Sequence, residues 1–310
     1  MARKLINVND ISHGQWLDLR KQSIGGSEAA ALMDMNPYSS PISLYADKLG
    51  LSKPKETNEA MRLGTDLEDY VAKRWSELTG KRVRKDNFMW MDDEFNFITA
   101  NIDRDVIGEN AGLECKTMGG FAKYDLESGE VPAQYYCQCQ HYMMVKEYDR
   151  MYLCIMVLQR GVYDFTIERD DKFIAEMRQK EVDFWRQHIE TKQMPAPDGS
   201  ESSMETLREL YPHDTQPQCS LPNADVQIER YRELGNVIKD MKTEQDKIKA
   251  ELCSRLGECG VGMDEKYSCS WKTQTKTVVD SKLLKEKYPE IYKECSKTSE
   301  SRVFRTKVNK

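Results

Sequence analysis

The sequence predicts a mixed α/β (α+β) fold: a central mixed β-sheet flanked by helices, followed by a C-terminal helical arm and a small β element. Three observations predict it. Stretches with helical spacing of apolar residues surround a run of extended, period-two segments between residues 88 and 170. Residues 194 to 224 hold five of the ten prolines and read as an irregular connector. Beyond residue 225, apolar positions recur among many charges over some thirty residues. The expected organisation is therefore a core over 1–193, a connector over 194–224 and an arm over 225–310.

In chain order, the first helix start falls at Ser27-Glu28, which follow a glycine pair and precede an alanine-rich run. A second helix begins near Pro41, where Ser39 or Ser40 can cap and Ile42, Leu44, Tyr45 and Leu49 form an apolar face. A third spans Asn58 to Leu78, with Met61, Leu67, Val71 and Trp75 near helical spacing, Glu68 in its middle and Gly80 as its stop. Extended segments follow at 88–92, 96–107 and 112–118, the last two joined by the turn-rich GENAG. A helix from Ala133 to Lys146 comes next, then strands MYLCIMVLQ and VYDFTIERD and a long amphipathic helix from Asp170 to Lys192. In the arm, Val226, Ile228, Tyr231, Leu234, Ile238, Met241, Ile248 and Leu252 predict a solvent-exposed helix or helical hairpin. The tail, YSCSWKTQTKTVVD and SRVFRTKV, alternates like a small antiparallel sheet flanking a short helix at 281–294.

Composition narrows function only by exclusion. The 310 residues carry a net charge of −6, the wrong sign for a general nucleic-acid binder. The charge is unevenly spread: residues 225 to 310 hold 19 Lys+Arg against 15 Asp+Glu, leaving 27 against 37 for residues 1 to 224. Any phosphate contact in the acidic front part must therefore be confined to local basic clusters such as Arg20-Lys21 and Lys81 to Lys85. Nine scattered cysteines without a secretory h-region point to a reducing cytoplasm, and no apolar run is long enough to span a bilayer. Cys137 and Cys139 fall inside one predicted helix, and Cys253, Cys259 and Cys269 lack the close CxxC pair of a metal cluster, so small buried side chains are the expected role.

The strongest local signal is Asp103 followed by Glu114-Cys115-Lys116. Period-two geometry puts Glu114 and Lys116 on one face of their strand and Cys115 on the other, and a neighbouring strand can bring Asp103 alongside. Two carboxylates beside a lysine suit metal-dependent phosphodiester cleavage: the acids hold Mg²⁺, and the amine orients water and offsets phosphate charge. A D-x(10)-E-x-K pattern alone is weak in so charged a chain, where same-face neighbours on a solvated strand are the competing reading.

Further motifs surround the triad: WLDLRKQSIGGSEAAALMDMNPY at 16–38, GTDLEDYVAKRW, NIDRDV, LECKT and YYCQCQHYMMV. With these five in order, residues 10 to 190 resemble the YqaJ-like viral recombinases, relatives of the phage lambda-type exonucleases in the PD-(D/E)xK nuclease superfamily. The resemblance implies a restriction-endonuclease-like core and a Mg²⁺-dependent DNA exonuclease, with Mn²⁺ able to substitute. It implies digestion of linear duplex from a 5′ end, leaving 3′ overhangs for phage recombination by strand annealing in the cytoplasm of a bacterial host.

Carried over by position, Asp103, Glu114, the Cys115 backbone carbonyl and Glu68 would hold metal, Lys116 would assist the attacking water, and Gln138 would sit beside the triad. Arg20 and Ser27 would contact a DNA phosphate. Asn101 stands where lambda-type enzymes have a serine two residues before the metal-binding aspartate, and would join Arg20 and Ser27 at the DNA phosphate. The implied partners are double-stranded DNA ends, a phage single-strand annealing protein and further copies of the chain in a trimeric ring. Competing readings are an endonuclease with the same triad and an inactive DNA-end-binding scaffold.

Overall fold

The computed structural model describes residues 3–53, 58–120 and 124–308. They fall into two compact units, Met1–Tyr211 and Pro212–Lys310. The first is a mixed α/β unit whose central mixed sheet is flanked by helices, as expected. No helix among the described residues is long and apolar enough to cross a membrane.

The first unit opens with strand β1 (Arg3–Asn7) and helix α1 (His13–Lys21). Ser12 caps α1 by accepting from the Gln15 amide, and the Gln15 side chain returns to the Ser12 amide, a capping box that the sequence reading passed over. Helices α2 (Gly26–Leu32), α3 (Pro41–Lys48) and α4 (Glu59–Thr79) start where expected, α3 with Ser40 as cap and Pro41 in the first turn. Asn58 caps α4, and Gly80 ends it at φ 71°, the left-handed region that favours glycine.

Strands β2 (Val83–Lys85), β3 (Phe88–Met91), β4 (Thr99–Asn101), β5 (Arg104–Val106) and β6 (Ala111–Met118) follow, then helix α5 (Ala133–Lys146), strands β7 (Arg150–Val157) and β8 (Gly161–Glu168), and helix α6 (Asp171–Phe184). The central sheet has the order β2-β5-β6-β7-β8, with β6 and β7 parallel and the other neighbours antiparallel. Helix α5 lies between the two parallel strands in sequence, the crossover such a pair requires. A second sheet, β1-β3-β4, is antiparallel.

The expected single strand over 96–107 is two strands in different sheets: β4 belongs to the second sheet and β5 to the first. The chain turns a corner at Ile102-Asp103, and period-two patterning cannot report such a change of sheet because side-chain alternation runs through it.

Strands β6 and β7 are buried on both faces, so their sequences read as continuous apolar runs. Leu113, Cys115, Tyr152, Cys154 and Met156 pack with Val71, Ala72 and Trp75 of α4. Leu153, Ile155 and Val157 face the larger cluster built with α5 and α6. Trp75 is fully buried and donates its indole N–H to Asp164 at 2.6 Å, which satisfies the polar edge of the ring. Cys115, Cys137, Cys139 and Cys154 are buried and free; burial pushes the Cys154 thiol up to about 12, so these groups act as small apolar side chains.

The proline-rich segment differs from expectation. Residues 201–210 form helix α7 (Glu201–Leu210), capped by Ser200 and packed against α3, where the Ser202 hydroxyl donates to Ser40. The first unit thus extends to Tyr211, because α7 seats Ser203 and Thr206 in its interior and bonds to the cap of α3.

In the second unit, helix α8 (Asp225–Leu256) is continuous and has no buried residue, so the arm is one helix rather than a hairpin. Strands β9 (Val261–Met263) and β10 (Ser268–Ser270) form a two-stranded ribbon, and helices α9 (Ser281–Lys287) and α10 (Pro289–Cys295) follow. The alternating segments 271–280 and 301–308 form no strand. Alternation specifies a strand only where one face can be buried, and these side chains remain almost entirely exposed.

Candidate active site

Glu114 lies in the middle of β6 on the α5 face, with 3% of its side chain exposed. Its Oε1 is 2.5 Å from the Lys116 ammonium and accepts the Gln138 amide of α5 at 2.7 Å. Its Oε2 is buried and has no hydrogen-bond partner. A buried carboxylate oxygen left unpaired is unfavourable in the isolated chain and is the donor type a divalent cation seeks. The Gln138 amide also donates to the Tyr142 hydroxyl at 2.8 Å, so Gln138 is fixed from both sides.

Asp103 sits at the corner between β4 and β5. The pairing Arg104↔Leu113 is the last of the β5–β6 ladder, and one further step along that antiparallel register places Asp103 opposite Glu114 on the same face. Where the ladder stops, Asp103 Oδ2 accepts the Cys115 amide at 2.8 Å. The N–H and C=O of a residue in a strand face the same edge, so the Cys115 carbonyl faces this edge as well. Burial, together with the charges of Glu114 and Glu68, pushes the Asp103 carboxyl well above its ordinary range. Burial works against the Lys116 ammonium, but Glu114 and Asp103 outweigh it and hold its pKa above the usual value. The Tyr135 ring lies 5.2 Å from the same ammonium.

Glu68 approaches from the other layer. It occupies the sheet-facing stripe of α4, at helical spacing from Val71, Ala72 and Trp75. Its Oε1 accepts from Arg104 Nη1 at 2.6 Å, and the same Nη1 donates to the Asp103 carbonyl at 2.6 Å. The other Arg104 nitrogen binds Asp69. Arg104 is 4% exposed and ties the helix-borne acids to the Asp103 corner. The sequence reading missed it, although its spacing from Val106 puts it on the α4-covered face, where a charge must be paired.

Among the described residues, no three His, Cys, Asp or Glu side chains form a group able to hold a metal ion by themselves. The oxygens that could hold an ion are the Asp103 and Glu114 carboxylates with the Cys115 carbonyl, while Glu68 is engaged by Arg104. Such a set fits Mg²⁺, which binds through one or two carboxylates and keeps several waters.

Arg20 and Ser27 are also together: Arg20 Nη2 donates to the Ser27 hydroxyl and to Glu28 Oε1, both at 3.1 Å, and its guanidinium lies over the Trp16 ring. Glu28 in turn binds the buried Lys48 at 2.7 Å. Burial opposes the Glu28 charge, but Lys48 and Arg20 prevail and hold its carboxyl below the ordinary value. Asn101 ends β4; its Oδ1 is buried without a partner. Gln140 points away from the triad and holds the Glu168 carbonyl and the Asp170 amide. His141 is wholly buried between Glu181 and the Thr99 carbonyl, at 2.8 and 2.9 Å, and faces these partners rather than the triad. A cavity of about 610 Å³ opens beside β2 and β3, lined by Lys4, Arg84, Lys85, Trp90, Asp105 and Lys146; neither Asp103 nor Glu114 lines it.

Residues 15–149 match the family profile of the YqaJ-like viral recombinase domain. The uncharacterized protein YqaJ of Bacillus subtilis (strain 168) is 31% identical over 308 residues, covering 98% of this chain and 97% of that protein. Among solved structures, an alkaline exonuclease (LHK-Exo) from Laribacter hongkongensis is 21% identical, with 58% of this chain and 93% of that one covered and a TM-score of 0.48. A phage related exonuclease from Haemophilus somnus 129PT is 15% identical, covering 55% and 96%, with a TM-score of 0.45. With nearly its whole length aligned to YqaJ and the recombinase-domain profile lying over its core, the chain belongs to the YqaJ family of viral-recombinase-like proteins.

Proposed function

We propose that this protein is a metal-dependent DNA exonuclease acting on linear duplex ends, digesting 5′ to 3′ and leaving 3′ single-stranded overhangs for recombination by strand annealing. The observation that carries the reading is the Glu114 carboxylate: one oxygen saturated by Lys116 and Gln138, the other buried and unpaired, beside an Asp103 that burial and like charge make ready for a cation. Membership of the YqaJ family supports it.

Asp103, Glu114 and the Cys115 carbonyl would hold Mg²⁺, with Glu68 acting through water, and Mn²⁺ would substitute. When bound, the ion supplies Lewis-acid charge to the scissile phosphate and lowers the pKa of a coordinated water. Lys116, kept charged by its two carboxylate neighbours, orients the attacking water and offsets phosphate charge. Gln138 holds Glu114 in place, and Arg104 holds Glu68. Arg20 and Ser27 present donors for a DNA phosphate, and Asn101 lies on the chain leading into the Asp103 corner.

The test is duplex DNA labelled at either end, with or without a 5′-phosphate, together with a closed circle, incubated with Mg²⁺. Progressive label release from the 5′ end, with the circle intact, is expected. Cleavage of the circle would instead identify an endonuclease, and binding without any cleavage an end-binding scaffold.

A further inference from the structure

Helix α8 carries a continuous apolar row that its own unit leaves in solvent. From Tyr231 onward, positions 231, 234, 238, 241, 245, 248 and 252 follow the alternating steps of three and four that define a heptad. Tyr231, Leu234, Ile238, Met241, Ile248 and Leu252 occupy six of them, between 39% and 67% exposed, and Gln245 occupies the seventh. The row runs straight along a helix in which no residue is buried. A strict 3.5-residue repeat keeps its apolar side chains aligned only along a helix that supercoils about another, so the repeat itself implies a helical partner. Phe304 packs edge-on against Tyr231, the first position of the row, at 5.3 Å.

The flanks of the row say which helix fits. On the side preceding the first position of each heptad stand Arg230, Val237, Glu244 and Glu251; on the side following the fourth stand Gly235, Lys242 and Lys249. Over the last two heptads one flank is acidic and the other basic. In a parallel pair each flank meets the opposite flank of the other helix, which brings Glu244 to Lys249 of a second copy. In an antiparallel pair like flanks meet, setting glutamate against glutamate and lysine against lysine. A single polar residue within an otherwise apolar seam is the device that fixes register, since two amides in register can bond to each other while a slipped pair buries each against hydrocarbon.

We propose that α8 pairs in parallel and in register with α8 of a second copy of this chain, with Gln245 facing its counterpart. The pairing is independent of the nuclease reading and would hold whatever the core does.

Sedimentation equilibrium of the full chain over a concentration series tests it. The wild type is expected at a multiple of 36.0 kDa. Ile238→Glu with Met241→Glu should halve the sedimenting mass with an unchanged far-UV circular dichroism spectrum, while Thr243→Glu, on the opposite side of the helix, should keep the assembly. Glu244→Lys should weaken association several-fold, and adding Lys249→Glu should restore it. A wild type monomeric at every concentration would assign the row to a different protein and overturn the proposal. A sedimenting mass that the double glutamate variant leaves unchanged, or a charge swap weaker than its single parent, would overturn it equally.

Discussion

Lys116 Nζ lies 2.5 Å from Glu114 Oε1 on the same face of β6, one residue apart across Cys115, so the strand's pleat alone pairs the amine with the carboxylate. Replacing Lys116 by Ala is expected to lower cleavage of end-labelled duplex by about 10²- to 10³-fold, the range for loss of one group that stabilises developing charge. DNA binding, read by gel shift in Ca²⁺, should persist. Loss of binding equal to the loss of cleavage would reduce Lys116 to an anchoring charge.

The two glutamines of the QCQ motif should separate cleanly. Gln138 holds Glu114, whereas Gln140 holds the backbone at Glu168 and Asp170. Gln138→Ala is expected to raise the Mg²⁺ concentration needed for half-maximal cleavage by about 10- to 100-fold, as for other residues that orient a metal ligand. Gln140→Ala should lower stability by about 1–3 kcal/mol, because two half-buried backbone groups lose partners, and leave the Mg²⁺ titration unmoved.

Gly26 reaches the site through Tyr142. A Cβ at position 26 would fall 2.5 Å from the Tyr142 ring, whose hydroxyl accepts the Gln138 amide. Gly26→Ala should therefore displace the ring, costing about 1–3 kcal/mol in a denaturant melt, and release Gln138 from one of its two partners. The Mg²⁺ titration should shift in the direction seen for Gln138→Ala; a purely structural effect would leave it in place.

His141 links α5 to Glu181 of α6 and to the Thr99 carbonyl of β4, wholly buried. Burial alone would lower its pKa, but the Glu181 carboxylate and the hydrogen bonds to Glu181 and Thr99 outweigh it, so the folded-state value is raised. A raised histidine contributes stability that is fully present below the unfolded pKa, about 6.5, and is lost as pH rises through the folded value. The stability lost on His141→Ala, about 3–5 kcal/mol for breaking a buried pair, should be larger at pH 6 than at pH 9. An equal loss at both pH values would mean that the ring is neutral in the folded chain.

Within the core, most elements were legible because local rules set them. The cap of α3, the Gly80 stop of α4, and the apolar runs of β6 and β7 follow from side-chain chemistry and period alone. The separation of Gln138 from Gln140 follows from the roughly 100° step of a helix. Other features escaped because their cause lies elsewhere in the chain. Helix α7 forms against α3, and the segments 271–280 and 301–308 stay irregular with no face to bury. Arg104 was missed because its role depends on partners from another element, Glu68 and Asp69 on α4.

By itself the sequence determined which side chains share a face: Glu114 with Lys116 on one strand, Glu68 with Val71 and Trp75 on one helix, the heptad row along α8. Those relations are periodic and need only the backbone geometry of a single element. Only the tertiary structure decided that Asp103 stands at the corner where the chain passes from one sheet to the other, that its carboxylate takes the Cys115 amide left free where the β5–β6 ladder ends, and that Arg104 draws Glu68 toward it. The physical reason is that these are relations between elements far apart in sequence, fixed by the need to satisfy backbone groups and charges once the sheet and α4 have closed over them.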